Sequence, residues 1–147
     1  MSRIYIASSW KNADILPPFA VTLEIWGNEV DCFCREDTGR FVFSFRDIDN
    51  AENIDQFDMM KTPQCRKAFA EDKKWLDWAD TVIMVLPCGR SAHLEAGYAV
   101  GQGKRLVILG EFPKGEWDVM YGFADLLVGL NDRNWSTKLR QFLKIRN

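Results

Sequence analysis

The residues best suited to chemistry begin with a short loop, residues 87–91, between an apolar segment and a predicted helix. Gly89 lets a ligand approach the backbone closely, and Arg90 and Ser91 can bond a phosphate or a hydroxyl. The unpaired backbone N–H groups at the start of a helix also favour an anion. The loop therefore predicts a binding site for an anionic or hydroxyl-bearing ligand, although Arg90 could equally face solvent.

Glu95 is the candidate nucleophile. It falls in the first turn of a helix predicted over residues 92–101, and its neighbours Leu94, Ala96 and Gly97 are small or apolar. The helix terminus should lower the pKa of Glu95 and keep it ionised, and an ionised, partly desolvated carboxylate can act as a nucleophile. Position alone would equally allow a solvated glutamate that only complements the helix dipole.

Asp72 and Tyr5 have simpler structural interpretations. Asp72 belongs to the charged run 71–74, which is typical of a solvent-facing helix. Tyr5 lies in the first predicted strand, where a tyrosine usually packs in the core with its hydroxyl at the rim.

The elements that would position these residues alternate between strand and helix, which predicts βαβ units and a mostly parallel sheet. We expect a flavodoxin-like (Rossmann-like) α/β fold with helices on both faces. Predicted strands cover residues 3–7, 30–34, 81–86, 105–109 and 126–130, with 40–45 returning as a hairpin strand. Predicted helices cover residues 12–26, 63–78, with Phe69, Leu76 and Ala79 buried, 92–101, and 136–145, with Ser136 as its N-cap.

In such a sheet, ligands bind beyond the carboxyl ends of the strands. Ser8, Ser9 and Trp10 follow the first strand, and the 87–91 loop follows a central one. Residues 46–61 lack a clear period and predict a long loop or a lid. Four phenylalanines could cover a flat ligand or serve as core or dimer contacts: Phe41, Phe43, Phe45 and Phe57.

Composition bounds the remaining classes. The 147 residues predict one domain, 1–147, and the net charge of −2 disfavours a nucleic-acid partner. No apolar run approaches the roughly 20 residues of a membrane span, and the N-terminus does not resemble a signal peptide, so we expect a cytoplasmic protein. Four cysteines and one histidine predict reduced thiols and no zinc site.

The segment 92–104 resembles a known motif. Its residues 95–104, EAGYAVGQGK, fit the pattern E-x-G-x-A-x-x-x-G-K of the nucleoside 2-deoxyribosyltransferase superfamily. That superfamily includes deoxynucleoside 5′-monophosphate N-hydrolases and CMP N-hydrolases. Three weaker features are also similar to it: residues 4–10 as first strand and substrate loop, the Asp72-to-Asp80 spacing, and Met120-Tyr121-Gly122.

The resemblance implies an enzyme that cleaves the N-glycosidic bond of a nucleoside or its 5′-monophosphate. Glu95 would be the nucleophile, Asp72 the proton donor to the base, and Tyr5 the residue that orients Glu95. A retaining mechanism needs one carboxylate to attack the anomeric carbon and one acid to protonate the departing group. The implied substrate-binding residues are Ser8, Ser9, Trp10, Gly89, Arg90, Ser91, Met120 and Tyr121, the last two near a site that can belong to a neighbouring subunit.

The resemblance further implies no metal and no organic cofactor, a homodimer or larger homo-oligomer, and a place in nucleotide salvage or pool remodelling. One departure bears on the substrate. Transferases of the superfamily carry an acidic residue upstream of the glutamate, whereas residues 88–91 here contain no carboxylate. Because the monophosphate hydrolases hold a phosphate with serine and arginine, this loop favours a 5′-phosphate, and transfer against hydrolysis stays open.

Two other functions compete. Residues 5–11 also resemble the first strand of TIR domains, which cleave NAD, but residues 97–104 fit the deoxyribosyltransferases better. Related folds also bind nucleotide-derived signals without turnover, so a nucleotide-binding sensor is the non-enzymatic alternative.

Overall fold

The computed structural model describes residues 1–145, apart from the side chains of Asp37 and Phe45, and its centre is a five-stranded parallel sheet. The strands are β1 (Arg3–Ala7), β2 (Glu29–Cys32), β3 (Thr81–Val85), β4 (Arg105–Gly110) and β5 (Leu126–Gly129). Their order is β2-β1-β3-β4-β5, and every neighbouring pair is parallel. The predicted flavodoxin-like α/β fold is confirmed.

Within residues 1–145, five helices accompany the sheet: α1 (Leu16–Ile25), α2 (Gln56–Met59), α3 (Pro63–Trp78), α4 (Arg90–Gly101) and α5 (Trp135–Lys144). Side chains of α1 and α5 share one apolar core with the strands, and those of α3 and α4 share the other. Because successive residues of a strand point to opposite faces, Tyr5 faces α3 and α4 whereas Ile4 and Ile6 face α1 and α5.

Helix α3 has the predicted bounds. Thr62 caps its amino end by accepting a hydrogen bond from the backbone N–H of Cys65, and Pro63 occupies the first turn. Leu76 and Ala79 are buried as predicted, but Phe69 is 61% exposed, so its predicted burial is wrong. Only the last turns of α3 reach the core, and Phe69 lies about two turns earlier.

The predicted hairpin strand at residues 40–45 is wrong. Residues 39–44 form no strand, because Arg40 is drawn toward the sheet by ion pairs instead of its backbone pairing with β2. Short 3₁₀ turns cover Glu36–Thr38, Phe45–Asp47 and Ala51–Asn53, and α2 follows. The long segment between β2 and α3 therefore consists of three short 3₁₀ turns followed by the single turn of α2.

Three predicted helix starts also move, those of α1, α4 and α5. Pro17 and Pro18 lie in the first turn of α1, which begins at Leu16, and a separate turn at Trp10–Asn12 precedes it. The last helix begins at Trp135 with Asn134 at its N-cap position, so Ser136 is inside the first turn and does not cap the helix.

The carboxyl edge of the sheet is tightly built around Gly110, the last residue of β4. A Cβ atom at this position would lie 2.5 Å from Cβ of Leu86, which follows β3. Glycine therefore lets the chain after β3 pass close to the end of β4. This packing fixes the start of the loop that leads into α4.

Candidate functional site

The structure brings Tyr5, Asp72 and Glu95 together at the carboxyl edge of the sheet. Tyr5 comes from β1, Asp72 from α3 and Glu95 from α4. The buried Tyr5 hydroxyl donates a hydrogen bond to the Glu95 carboxylate, and Asp72 lies close enough to influence both groups. Residues distant in sequence thus form one cluster on the face that α3 and α4 cover.

The position of Glu95 follows from the pattern of α4. Ala92, Ala96 and Ala99 are buried against the sheet, because small side chains at this helical spacing let the helix lie close to the strands. Glu95 lies beside this alanine stripe and is half-buried above Tyr5. Glu95 is therefore not the fully solvated glutamate that its position in the sequence alone would allow.

The predicted ionisation of Glu95 is corrected. Helix α4 begins at Arg90 and not at residue 92, so Glu95 is in its second turn, beyond the strongest influence of the helix terminus. Burial raises the pKa of Glu95 to about 7; the hydrogen bond from Tyr5 opposes that rise and the Asp72 carboxylate adds to it. Glu95 therefore gains or loses its proton near neutral pH and is not fully ionised there.

We expect Glu95→Gln to stabilise the protein most above pH 7. The pKa of Glu95 rises from 4.5 in a solvated chain to about 7 in the fold, so the folded state binds the proton more tightly. The free energy of unfolding therefore falls as pH rises through this range, and the ionised carboxylate costs about 3 kcal/mol above it. Denaturant unfolding at pH 5 and pH 8 checks this prediction. An equal effect of the substitution at both pH values would contradict it.

Asp31 and Arg40 are members of the cluster that the sequence did not identify. Arg40 Nε donates to Asp31 Oδ1 at 2.9 Å, and Arg40 Nη2 donates to Asp72 Oδ1 at 2.9 Å. The guanidinium carbon lies 6.0 Å from the centre of the Tyr5 ring. Asp31 pairs with Tyr5 in the β1–β2 register. In the sequence, its place in the cluster was indicated only by a charged residue standing between the apolar strand residues Val30 and Cys32.

Ser8 and Ser9 are engaged within the protein. The Ser8 hydroxyl donates to the carbonyl of Val85 at 2.8 Å and accepts a hydrogen bond from Asn12 Nδ2 at 2.9 Å. Asn12 Nδ2 also donates to the carbonyl of Pro87 at 2.9 Å, so Ser8 and Asn12 join the loops after β1 and β3. Ser9 accepts a hydrogen bond from the backbone N–H of Lys11 and caps the turn that begins at Trp10.

Trp10 offers a flat surface at the same edge. It is 55% exposed, and its ring meets Phe33 edge-to-face with centroids 5.1 Å apart. This contact holds the indole in place while leaving much of it open to a ligand. The other aromatic candidates differ, because Phe57 is 78% exposed on α2 and Phe41 packs under Lys67 at 4.2 Å. Phe43 is half-buried, and the side chain of Phe45 lies outside the described structure.

Gly89, Arg90 and Ser91 form the entry to α4. Gly89 is its N-cap residue and provides no side-chain cap, while Arg90 and Ser91 are the first two helical residues and are exposed. Within residues 1–145, the side chains of Arg90 and Ser91 make no hydrogen bond or ion pair to the protein. Both are therefore available to a ligand at the helix entry.

The segment with Met120 and Tyr121 is attached to the same entry. The Tyr121 hydroxyl lies 3.0 Å from His93 Nε2, and the two rings stack with centroids 5.8 Å apart. His93 Nδ1 in turn lies 2.7 Å from the carbonyl oxygen of Gly89. Tyr121 thus lies near the 87–91 loop, whereas Met120 is 60% exposed.

The thiols are free, as predicted, at Cys32, Cys34, Cys65 and Cys88. Burial raises the pKa of Cys32 to about 12 and that of Cys88 to about 11, so neither is a thiolate at neutral pH. In the part of the chain that the structure describes, no three His, Cys, Asp or Glu side chains are grouped to hold a metal ion. Within residues 1–145, every helix is too short or too polar to cross a membrane.

Comparisons with known proteins agree with the fold. No protein-family model matches the chain, and a search of curated proteins finds no match. Among solved structures, the chain is similar to the CMP N-glycosidase BcmB of Clostridium botulinum, with a TM-score of 0.56 and 16% sequence identity. The match covers 97% of this chain and 99% of that chain. At this identity, the likeness shows a common fold that extends over nearly the whole of both chains.

Proposed function

We propose that this protein cleaves the N-glycosidic bond of a nucleoside or its 5′-monophosphate, with Glu95 as the nucleophile. The observation that carries the proposal is the Tyr5–Glu95 hydrogen bond beside Asp72 at the carboxyl edge of the sheet. A pair of carboxyl groups is what retaining glycoside cleavage requires. The fold shared with a CMP N-glycosidase supports the same chemistry.

The reaction divides between the two carboxyl groups. Glu95 attacks the anomeric carbon, the bond from that carbon to the base nitrogen breaks, and Asp72 supplies the proton that the departing base takes up. Tyr5 holds the attacking carboxylate in place. Water, or a second base, then displaces Glu95 from the sugar and completes hydrolysis or transfer.

The surrounding residues suggest where the substrate would lie. Trp10 would stack on the base, and Arg90 and Ser91 would hold the 5′ end at the amino end of α4. The preference for a 5′-phosphate over a hydroxyl stays part of the proposal, since Arg90 supplies the only side-chain cation among Gly89, Arg90 and Ser91. Ser8 would shape the binding edge by joining the loops after β1 and β3, and Ser9 by capping the turn that begins at Trp10.

A chromatographic screen for released base tests the proposal. The protein is incubated with each common ribo- and deoxyribonucleoside, with each 5′-monophosphate and with NAD, in the presence and absence of a second base. Release that needs Glu95 supports the proposal, and a new nucleoside formed only with the added base identifies a transferase. Release of nicotinamide from NAD alone would favour the TIR-like alternative. Binding without turnover, at an affinity unchanged by Glu95→Gln, would favour the sensor.

We expect base release to slow as pH rises above about 7. The active form of the Glu95–Asp72 pair carries one proton, because attack needs an ionised carboxylate and base departure needs an acid. Burial raises the pKa of Glu95 to about 7, so the pair loses its last proton near that pH. The pH profile of kcat/KM should show a descending limb there. A rate that climbs without a break to pH 9 would exclude this requirement for a proton.

Oligomeric state and pathway belong to the same proposal. Val119, Met120 and Phe123 expose apolar side chains beside the α4 entry, which favours a homodimer in which this segment lies near the partner's site. A single domain over residues 1–147, a cytoplasmic location and a role in nucleotide salvage stay predictions.

A further inference from the structure

A chain of ion pairs crosses the candidate site from β2 to α3. Asp31, Arg40 and Asp72 are joined by two contacts of 2.9 Å, both made by the guanidinium of Arg40. The side chains of Arg40 and Asp31 are 3% and 5% exposed, so water screens this pair little. Burial opposes the charge of Arg40, but Asp31 and Asp72 more than offset it and raise the pKa of Arg40.

The chain leaves one oxygen of Asp72 for the substrate. Oδ1 accepts the hydrogen bond from Arg40, whereas Oδ2 makes no hydrogen bond to any residue from 1 to 145. The Asp72 side chain is 41% exposed, unlike the two members of the chain behind it. One oxygen of the carboxyl group is therefore held by the protein, and the other is left without a hydrogen-bond partner among the described residues.

Arg40 is itself held by the segment that crosses α3. The backbone N–H of Phe41 bonds the Glu71 carboxylate, and the Phe41 ring lies 4.2 Å from Lys67 Nζ. Further along, Gln64 Nε2 donates to the carbonyl of Asp47 at 3.5 Å. Contacts at several points of α3 thus fix the backbone from which the guanidinium reaches inward.

Asp31 anchors the other end. Its Oδ1 accepts from Arg40, while Oδ2 is buried with no hydrogen-bond partner among the described residues. A buried carboxylate with an unsatisfied oxygen is costly, so it needs the guanidinium beside it. Among the described residues, the buried Asp31 carboxylate therefore depends on Arg40 for its hydrogen bond and its charge partner.

We propose that Arg40, anchored by Asp31, is a positioning residue that orients Asp72 so that its free oxygen Oδ2 meets the base of the substrate. The inference rests on the proposed function and adds a residue pair to it. Arg40 does not touch the base. It acts by fixing the rotamer of Asp72 and by placing one positive charge among three carboxyl groups.

The same charge sets where the proton of the site resides. Several charged or titratable groups surround Asp72. Arg40, in the segment after β2, contacts it directly, and Asp31 is linked to it through that arginine. The others are Tyr5 on β1, Glu95 on α4 and Glu71 on the same helix as Asp72. Burial raises the pKa of Asp72, and the guanidinium opposes that rise. Removing Arg40 should therefore raise the proton affinity of Asp72 and move the descending limb of the pH profile upward.

The test uses three variants at the site and one control. Arg40→Gln removes the charge, and the double variant Asp31→Asn/Arg40→Gln removes it without leaving Asp31 uncompensated, which protects the fold. Arg40→Lys keeps the charge but not the paired hydrogen bonds. Arg35→Gln is the matched control, because Arg35 lies in the same segment after β2 but bonds Glu24 of α1 at 2.6 Å.

We expect the double variant to lose about 10²-fold in kcat with little change in KM, because Asp72 is misplaced while substrate contacts remain. The descending limb should move up by about one pH unit, which a purely structural role would not cause. Arg40→Lys should restore part of kcat and the original limb, and Arg35→Gln should match the wild type. A rise in KM alone, an unmoved limb, or an equal loss in the control would overturn the proposal.

A second readout separates this inference from the proposed function. A carbon-13 NMR titration of the Asp72 carboxyl group needs no substrate and should show a higher pKa in the double variant than in the wild type. An unchanged pKa would overturn the inference even if base release is confirmed. If the wild type releases no base from any substrate, the proposed function fails. The positioning role then fails with it, even if the titration shows that Arg40 lowers the pKa of Asp72.

Discussion

Replacing Glu95 by Gln should reduce base release by about 10³-fold or more, because the amide cannot attack the anomeric carbon. Gln has nearly the same shape, and its carbonyl oxygen can still accept the hydrogen bond from Tyr5. The fold should therefore persist, and the stability above neutral pH should rise for the reason given above. Steady-state rates measured with the best substrate of the screen give the size of the effect.

Glu29→Gln is the matched control for this substitution. Glu29 begins β2 at the amino edge of the sheet, opposite the site, and is exposed. The same change there should leave the rate within about twofold of the wild type, as for ordinary surface substitutions. Full activity of Glu95→Gln would remove the nucleophile from the mechanism, whatever the substrate.

Replacing Asp72 by Asn is expected to slow base departure by roughly 10²–10⁴-fold, the usual contribution of a general acid. Asn can keep the contact with Arg40 through its carbonyl oxygen but cannot give a proton to the base. The loss should shrink for a nitrophenyl glycoside, whose leaving group departs without protonation. Comparing the two substrates separates acid catalysis from a general loss of geometry.

Asp77→Asn controls for changes to the surface of α3. Asp77 is as exposed as Asp72, with 41% of the side chain accessible in both, and it pairs with Lys73 at 2.7 Å. Its substitution should leave the rates of cleavage of both substrates unchanged. An Asp72→Asn enzyme with wild-type rates on natural substrates would mean that Asp72 is only a member of the charged surface.

The topology predicted where the loops after β1 and β3 would lie, whereas Tyr5 and Asp72 were assigned to the site only through the family resemblance. A parallel sheet brings the carboxyl ends of its strands to one edge, so residues after β1 and β3 had to meet there. Helix α3 kept its predicted bounds because Thr62 and Pro63 give a strong start signal. Local signals and topology were sufficient for these elements.

Arg40 shows what the sequence could not supply. The alternating phenylalanines 41, 43 and 45 predicted a strand, but the ion pairs to Asp31 and Asp72 hold the segment along α3 instead. These contacts join residues 9 and 32 positions apart, and no local pattern encodes such pairs. Tertiary contacts therefore overrode the local preference.

The prediction that Glu95 is ionised was wrong for a related reason. Its sequence position suggested a helix dipole that lowers the pKa, but burial beside Tyr5 and Asp72 is the larger effect and raises it. The depth of a side chain depends on how closely the helix approaches the sheet. Here the alanines of α4 set that distance, and their effect becomes measurable only in the assembled fold.

The most direct test of the central claim is a search for the covalent glycosyl–enzyme. The protein is mixed with the 2′-fluoro analogue of a nucleoside that it cleaves, because the fluorine slows turnover of the intermediate. The masses of the intact protein and of its peptides are then measured. The account predicts an increase by one fluorosugar, confined to the peptide that contains Glu95 and missing in Glu95→Gln. Base release without any adduct, together with inverted configuration at the anomeric carbon of the product, would contradict it.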